Sequence, residues 1–127
     1  MFDNLLRGLT QNRTRLDPQS PDPCLRPIEC PKTIDAILDK TLTWVDNVSH
    51  WSLVKHESSD GQHRLHLTRR TKVLAFIDDV HVTIARSDDG DACVVNADSQ
   101  SRVGKGDLGQ NARNLKELRT ALTSDQK

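Results

Sequence analysis

The residues best suited to chemistry lie in one polar, glycine-rich segment, Ser99–Asn111. Its centre, Gly104–Gly109, reads G-K-G-D-L-G and matches the G-x-G-x-x-G pattern of dinucleotide-binding loops. Such loops open a βαβ unit and require an acidic residue on a strand about twenty residues further on. No strand pattern follows Gly109, and Lys105 precedes the closing glycine instead of following it. The sequence therefore disfavours both a dinucleotide site and a Walker A loop.

Two uses of this segment stay open. Glycines before a helix let backbone amides converge, and the helix dipole attracts an anion there. Arg102 and Lys105 would add positive charge, whereas Asp107 at the helix start would repel an anion. Alternatively, the glycines shape a tight strand-to-helix turn that Asp107 and Asn111 pin. The residues of this candidate ligand-binding or structural cluster are Asp78, Asp79, Ser101, Arg102, Gly104, Lys105, Asp107, Gly109 and Asn111.

Two adjacent carboxylates, Asp78 and Asp79, interrupt the apolar, strand-like run Phe76–Val82. Successive strand residues face opposite ways, so the two are not expected to act as a catalytic dyad. Asp78 shares its parity with the apolar residues, and a buried carboxylate is costly unless it is paired. We therefore expect either a bulge that shifts the register or a buried partner. The predicted partner is Arg102, through two parallel hydrogen bonds, and Arg69–Arg70 is the alternative.

The histidines predict no metal site and no cofactor. His63 and His66 differ by three positions on a strand and so project to opposite faces. His66 and His81 are expected to lie across from each other on a polar face, with Asp79 near His81. No serine of the glycine-rich segment has a histidine close to it in the chain, so catalysis is not favoured, although an enzyme using Asp78, Asp79 or Arg102 stays open.

The three cysteines form an odd set, which argues against a closed disulfide framework. Cys24 and Cys30 lie in a proline-rich segment, and whether they pair stays open. We expect reduced thiols and a cytoplasmic location, because neither a secretory signal nor a run of about 18 apolar residues is found.

The composition is that of one small domain without a basic excess. The chain has 127 residues, with 18 Lys and Arg against 18 Asp and Glu. No aromatic residue is interleaved with the basic stretch His63–Lys72, so nucleic-acid binding is not expected. We divide the chain into an N-terminal arm (1–16) with a short amphipathic turn, a strap (17–31) that holds all five prolines, a folded domain (32–123) and a tail (124–127).

Apolar periodicity predicts the elements that position these residues. A helical stripe begins after Thr33, a plausible N-cap, and ends by Ser49. Strands at period two follow, with turns at Ser59–Gly61 and Ser87–Asp91, and a boundary near 70–73 that no glycine or proline marks. A second helix is expected from about 108 to 123. The fold class is therefore α+β: an antiparallel sheet of about four to five strands with an N-terminal and a C-terminal helix packed on it. Leu25 and Ile28 of the strap are expected to add to the core.

Two elements carry a family resemblance. Phe76–Val82 and Ser99–Asn111 resemble the F-x-D-D-V and S-x-S-R-x-G-x-x-D-x-G-x-N elements of the bacterial and plastid domain-of-unknown-function family numbered 1499. Pro21–Cys24 is similar to its P-N-C segment, with Asp22 in place of Asn. The resemblance covers about residues 16–123 and implies a site but no reaction. The expected function is thus a non-enzymatic binding or interaction module with a small anionic or polar ligand or an unknown protein as its partner. An assembly protein that acts through the N-terminal arm is the further alternative.

Overall fold

A computed structural model describes residues 12–72, 76–88, 90–102 and 109–124, and within them the chain forms six strands and two α-helices. The strands are β1 (Arg13–Arg15), β2 (Ile28–Cys30), β3 (Trp51–Ser59), β4 (Gln62–Arg70), β5 (Ile77–Arg86) and β6 (Cys93–Ser101). The helices are α1 (Ile34–Asn47) and α2 (Gln110–Thr123). Neither helix of the described part is long and apolar enough to cross a membrane.

All strands belong to one antiparallel sheet. Strands β3, β4, β5 and β6 follow one another as hairpin-connected neighbours, and β1 and β2 both pair with the remaining edge of β6. Turns form at both predicted places, where Gly61 and Gly90 have positive φ angles of 71° and 78°. A residue with a side chain rarely adopts such a φ angle. Strand β3 is the opposite edge and has only β4 as a neighbour among the described strands. A register shift between Leu53 and Lys55 makes a bulge in it.

Helix α1 forms where the apolar stripe predicts it. The Thr33 hydroxyl accepts a hydrogen bond from the Ala36 amide at 3.2 Å and so caps the first turn. The face toward the sheet is buried at Ile34, Ile37, Thr41 and Val45.

One apolar core lies between the helices and one side of the sheet. It is built from alternate residues of the central strands and from one stripe of α2, with Leu67, Val80, Ile84, Val95, Leu115 and Leu118 fully buried. We call this side of the sheet the helix face. The other side, which we call the open face, carries polar side chains that stay exposed or half-buried, and no described helix covers it.

The α+β class and the antiparallel sheet are confirmed, but two details differ from the expectation. The sheet has six strands instead of four to five, because β1 and β2 are three residues long and too short to show a period of two. Strand β1 falls in the predicted arm and β2 in the proline-rich strap, so α1 lies mid-chain instead of leading the fold. Leu25 and Ile28 pack on the core as expected. The unmarked boundary lies between Arg70 and Ile77.

Candidate functional site

Strand β5 places its two adjacent carboxylates on opposite faces of the sheet. Its register with β4 and β6 is continuous, so no bulge occurs next to Asp78. Asp78 therefore keeps its parity and is 1% exposed on the helix face. Asp79 is half-buried on the open face, and the two do not form a dyad, as the alternation predicts.

The buried partner of Asp78 is Asn114 of α2, whose Nδ2 donates to the Oδ2 of Asp78 at 2.8 Å. The expected Asp78–Arg102 ion pair is wrong. Ser101 is the residue directly opposite Asp78 on β6, so Arg102, one position later, emerges on the other side of the sheet. Its guanidinium is bound to Asp79 instead.

A buried polar network on the helix face fastens the start of α2 to the sheet. The Ser99 hydroxyl donates to Asn111 Oδ1 at 2.6 Å and accepts from Asn114 Nδ2 at 3.1 Å. The Nδ2 of Asn111 donates to the Asn12 carbonyl at 2.7 Å and to the Ser101 hydroxyl at 3.1 Å. Because Ser99, Asn111 and Asn114 are fully buried, this network serves to position elements and does not face solvent.

The glycine-rich loop itself is described only in part. Gly109 is the N-cap residue of α2 and lies in the left-handed region, at φ 85°. This supports the turn-shaping use of that glycine. The predicted site residues Gly104, Lys105 and Asp107 lie outside the described residues, and so does the predicted capping by Asp107.

A second cluster on the helix face gathers around Glu117 of α2 and was not predicted. Its carboxylate accepts hydrogen bonds from Trp51 Nε1 at 2.5 Å and Arg69 Nη2 at 3.1 Å, and it lies 3.0 Å from His50 Nε2. Burial raises the pKa of Glu117, but the Trp51 hydrogen bond and the charge of Arg69 outweigh it, so the net pKa is lowered. The parity of Arg69 with Leu65 and Leu67 on β4 was the available sequence signal for a buried cation that needs an anion.

On the open face, Asp79 joins a cation to a histidine. The Nε of Arg102 donates to Oδ2 at 2.8 Å and its Nη2 donates to Oδ1 at 2.9 Å, a two-point contact. Oδ1 also lies 2.7 Å from His66 Nε2. The hydrogen bonds from Arg102 lower the pKa of Asp79 to about 2, against a smaller opposing effect of burial, with further lowering by His66.

The polar contacts continue across the sheet from this histidine. His66 and His81 are directly opposite each other, as predicted, and their rings stack with centroids 4.5 Å apart at 19°. His81 Nδ1 lies 3.7 Å from Asp98, whose other oxygen lies 3.5 Å from Arg13. Asp79 thus contacts His66, the cross-strand neighbour of His81. We call Arg102, Asp79, His66, His81, Asp98 and Arg13 the open-face row.

The predicted site residues therefore separate into two environments. Asp78, Ser101 and Asn111 join the network under α2, whereas Asp79 and Arg102 belong to the accessible row. Over the described residues, no group of three or more His, Cys, Asp and Glu side chains is arranged to hold a metal ion.

Comparison with known proteins returns one family. The family described as "Protein of unknown function (DUF1499)" matches residues 8–122, which is nearly the whole chain. No curated protein and no solved structure matches the chain.

Proposed function

The chain belongs to the DUF1499 family, and from the geometry of its own residues we propose that it is a non-enzymatic binding module whose open sheet face binds a small anionic ligand. The observation that carries the proposal is the open-face row: two arginines, two aspartates and two histidines, each in contact with the next, that together cross β4, β5, β6 and β1.

Accessibility favours the open-face row over the network under α2. The side chains of Arg13, Arg102 and His81 are 53%, 52% and 56% exposed. A ligand can therefore reach them without any rearrangement. By contrast, Asp78, Asn111 and Asn114 are shielded by α2, and their hydrogen bonds hold the fold.

Local charge favours an anion. The whole chain has no net charge, yet the strand registers give the open face six cations and four carboxylates in its described part. The cations are Arg13, Arg15, Lys55, Arg64, Arg70 and Arg102, and the carboxylates are Glu29, Glu57, Asp79 and Asp98. A guanidinium has five N–H donors, so Arg102 retains donors for a ligand beyond the two that Asp79 accepts.

The open face is better suited to binding a small anion than to binding a nucleic acid or to catalysing a reaction. The open-face positions of the described strands carry no Trp or Phe on which bases would stack. The 2.7 Å contact of His66 with Asp79 is the geometry of a general base and its orienting carboxylate. However, no hydroxyl or thiol of the described residues is hydrogen-bonded to His66, so a nucleophile would have to come from the ligand or from water.

The proposal is tested by titrating the full-length protein with inorganic phosphate, pyrophosphate and citrate while the backbone amide resonances are followed by NMR. We expect saturable shifts at His66, His81 and Arg102, and a five- to tenfold weaker affinity for Arg102→Gln. Asp79→Asn removes a negative charge from the same ion pair and should strengthen binding. If the Arg102–Asp79 ion pair had only a structural role, both variants would weaken anion binding to the same extent.

The matched control is Arg86→Gln, which removes an exposed arginine from the far end of β5, at a position with the parity of the helix face. Its affinity should equal that of the unchanged protein. Absence of saturable shifts on the open face with all three anions would refute the proposal, as would equal losses in Arg86→Gln and Arg102→Gln.

A further inference from the structure

Two of the three cysteines face each other across neighbouring strands. Cys30 of β2 and Cys93 of β6 are direct partners in the antiparallel register. Both are free thiols and both are buried, at 4% and 1% exposed. Ile28 and Val95, two positions along each strand, are buried against the same core. The two thiols therefore point to the same side of the sheet, toward each other's strand.

This placement meets the geometric demands of a disulfide. Directly opposite residues of antiparallel strands have Cα atoms about 4.5 or 5.5 Å apart, depending on the type of pair. Both values fall within the range of about 4.4–6.8 Å that a disulfide spans. We propose that Cys30 and Cys93 form an intramolecular disulfide under oxidising conditions, which covalently fastens β2 and the proline-rich segment to β6.

The thiols are not equivalent, and this sets the order of the chemistry. Burial raises the pKa of both, that of Cys93 to about 11. At Cys30, the neighbouring Cys93 thiol and the positive charges of Lys40 and Arg119 oppose this rise, but the net pKa is still raised. Strand β2 is three residues long and is held in the sheet by β6, so a local opening of β2 exposes Cys30 first, and its thiolate is the first nucleophile.

The reaction is an exchange with a low-molecular-weight disulfide, such as oxidised glutathione. The Cys30 thiolate attacks one sulfur of the reagent, whose S–S bond breaks, and one small thiolate leaves. Cys93 then loses its proton to solvent and attacks the Cys30 sulfur, and the second small thiolate leaves. The reagent accepts two electrons and yields two thiols, and the protein gains one disulfide.

Cys24 is the cysteine left over. It lies in the turn Pro23–Leu25, at the surface, whereas Cys30 is buried against β6. The Cys24–Cys30 pair that the sequence left open is therefore the less suitable one. The odd count resolves into a facing pair and one exposed thiol.

The test is to unfold the full-length protein, refold it in a glutathione redox buffer, and map its disulfides by non-reducing peptide mass spectrometry. Refolding exposes all three thiols to the oxidant, so burial cannot mask the outcome. We expect one cross-linked peptide that joins Cys30 to Cys93, and one titratable thiol, at Cys24. Because the bond closes a long loop, the oxidised protein should melt roughly 10–20 °C above the reduced one.

Variants separate this disulfide from other effects of oxidation. Cys24→Ala should keep the cross-link and the melting shift, whereas Cys30→Ala and Cys93→Ala should lose both. Three titratable thiols after refolding, a cross-link that includes Cys24, or a Cys30–Cys93 bond that leaves the melting temperature unchanged or lower would each overturn the proposal. None of these readouts depends on anion binding to the open face.

Discussion

Asp79 is the open-face residue whose pKa is lowered furthest by its neighbours, chiefly by the hydrogen bonds from Arg102. Its pKa is about 2 in the folded chain, against 3.8 for the unperturbed group. Because the folded pKa is the lower one, the ion pair stabilises the fold above about pH 4 and loses this effect as the pH falls toward 2.

We therefore expect Asp79→Asn to be less sensitive to acid than the unchanged protein. The difference in unfolding free energy between pH 5 and pH 2.5 should shrink by only roughly 1 kcal/mol, since the solvent around the exposed Arg102 side chain screens the ion pair. Urea unfolding at the two pH values measures it. The same loss of stability in both proteins would contradict the assignment.

Asn114 is the residue on which the buried carboxylate depends. Asn114→Ala removes the donor to Asp78 and to the Ser99 hydroxyl, and it leaves the buried carboxyl group without that partner. We expect a cost of about 2–4 kcal/mol in urea unfolding. Gln110→Ala, which removes a half-exposed side chain bonded to the oxygen of Asn114, is the control and should cost less than about 1 kcal/mol.

For single residues, the sequence predicted the side of the sheet on which a side chain lies better than it predicted the contact partner of that side chain. Strand parity correctly placed Asp78 on the buried side and His66 opposite His81. Arg102 does not pair with Asp78 because β6 continues to Ser101, opposite Asp78, and so places Arg102 on the other side of the sheet. The actual partner, Asn114, could not be predicted, because the rotation of α2 over the sheet depends on packing between segments far apart in the chain.

Helix α1 allows a clear test of whether its apolar face belongs to the core. Ile37 is fully buried in the contact of α1 with the sheet, and Ile37→Ala should cost ~2–5 kcal/mol of unfolding free energy. The control is Leu53→Ala on β3, where the side chain is 45% exposed and the cost should stay below about 1 kcal/mol. Similar costs in urea unfolding would show that the α1 face is not core.

The elements that the sequence revealed are those with many repeats of their own period. Helix α1 spans 14 residues and the long strands span nine or ten, so their apolar patterns are legible. Strands β1 and β2 exist because β6 offers them an edge 63 to 87 positions further along the chain. Such pairing has no local signature, and five prolines around β2 suggested a strap instead.

Tryptophan fluorescence reports on most of the fold, because the two tryptophans lie where β3, α1 and α2 meet. Trp51 is 3% exposed at the start of β3, its ring centroid is 4.8 Å from that of Trp44 on α1, and its Nε1 donates to Glu117 on α2. Because one core joins these elements, we expect a single unfolding transition with equal midpoints by tryptophan fluorescence and far-UV circular dichroism. Midpoints that differ by more than experimental error would indicate separate cooperative units.

The bulge in edge strand β3 affects how readily the protein aggregates. A nine-residue edge strand with Leu53 and Val54 45% and 56% exposed is a template for edge-to-edge polymerisation. At pH 7 the chain has no net charge, so long-range repulsion does not keep molecules apart. The barrier to fibril growth is then local: the bulge twists the edge, and Lys55 and Glu57 place charges along it. Deleting Val54 would straighten this edge, and the altered protein should form thioflavin-binding fibrils sooner, most rapidly near neutral pH.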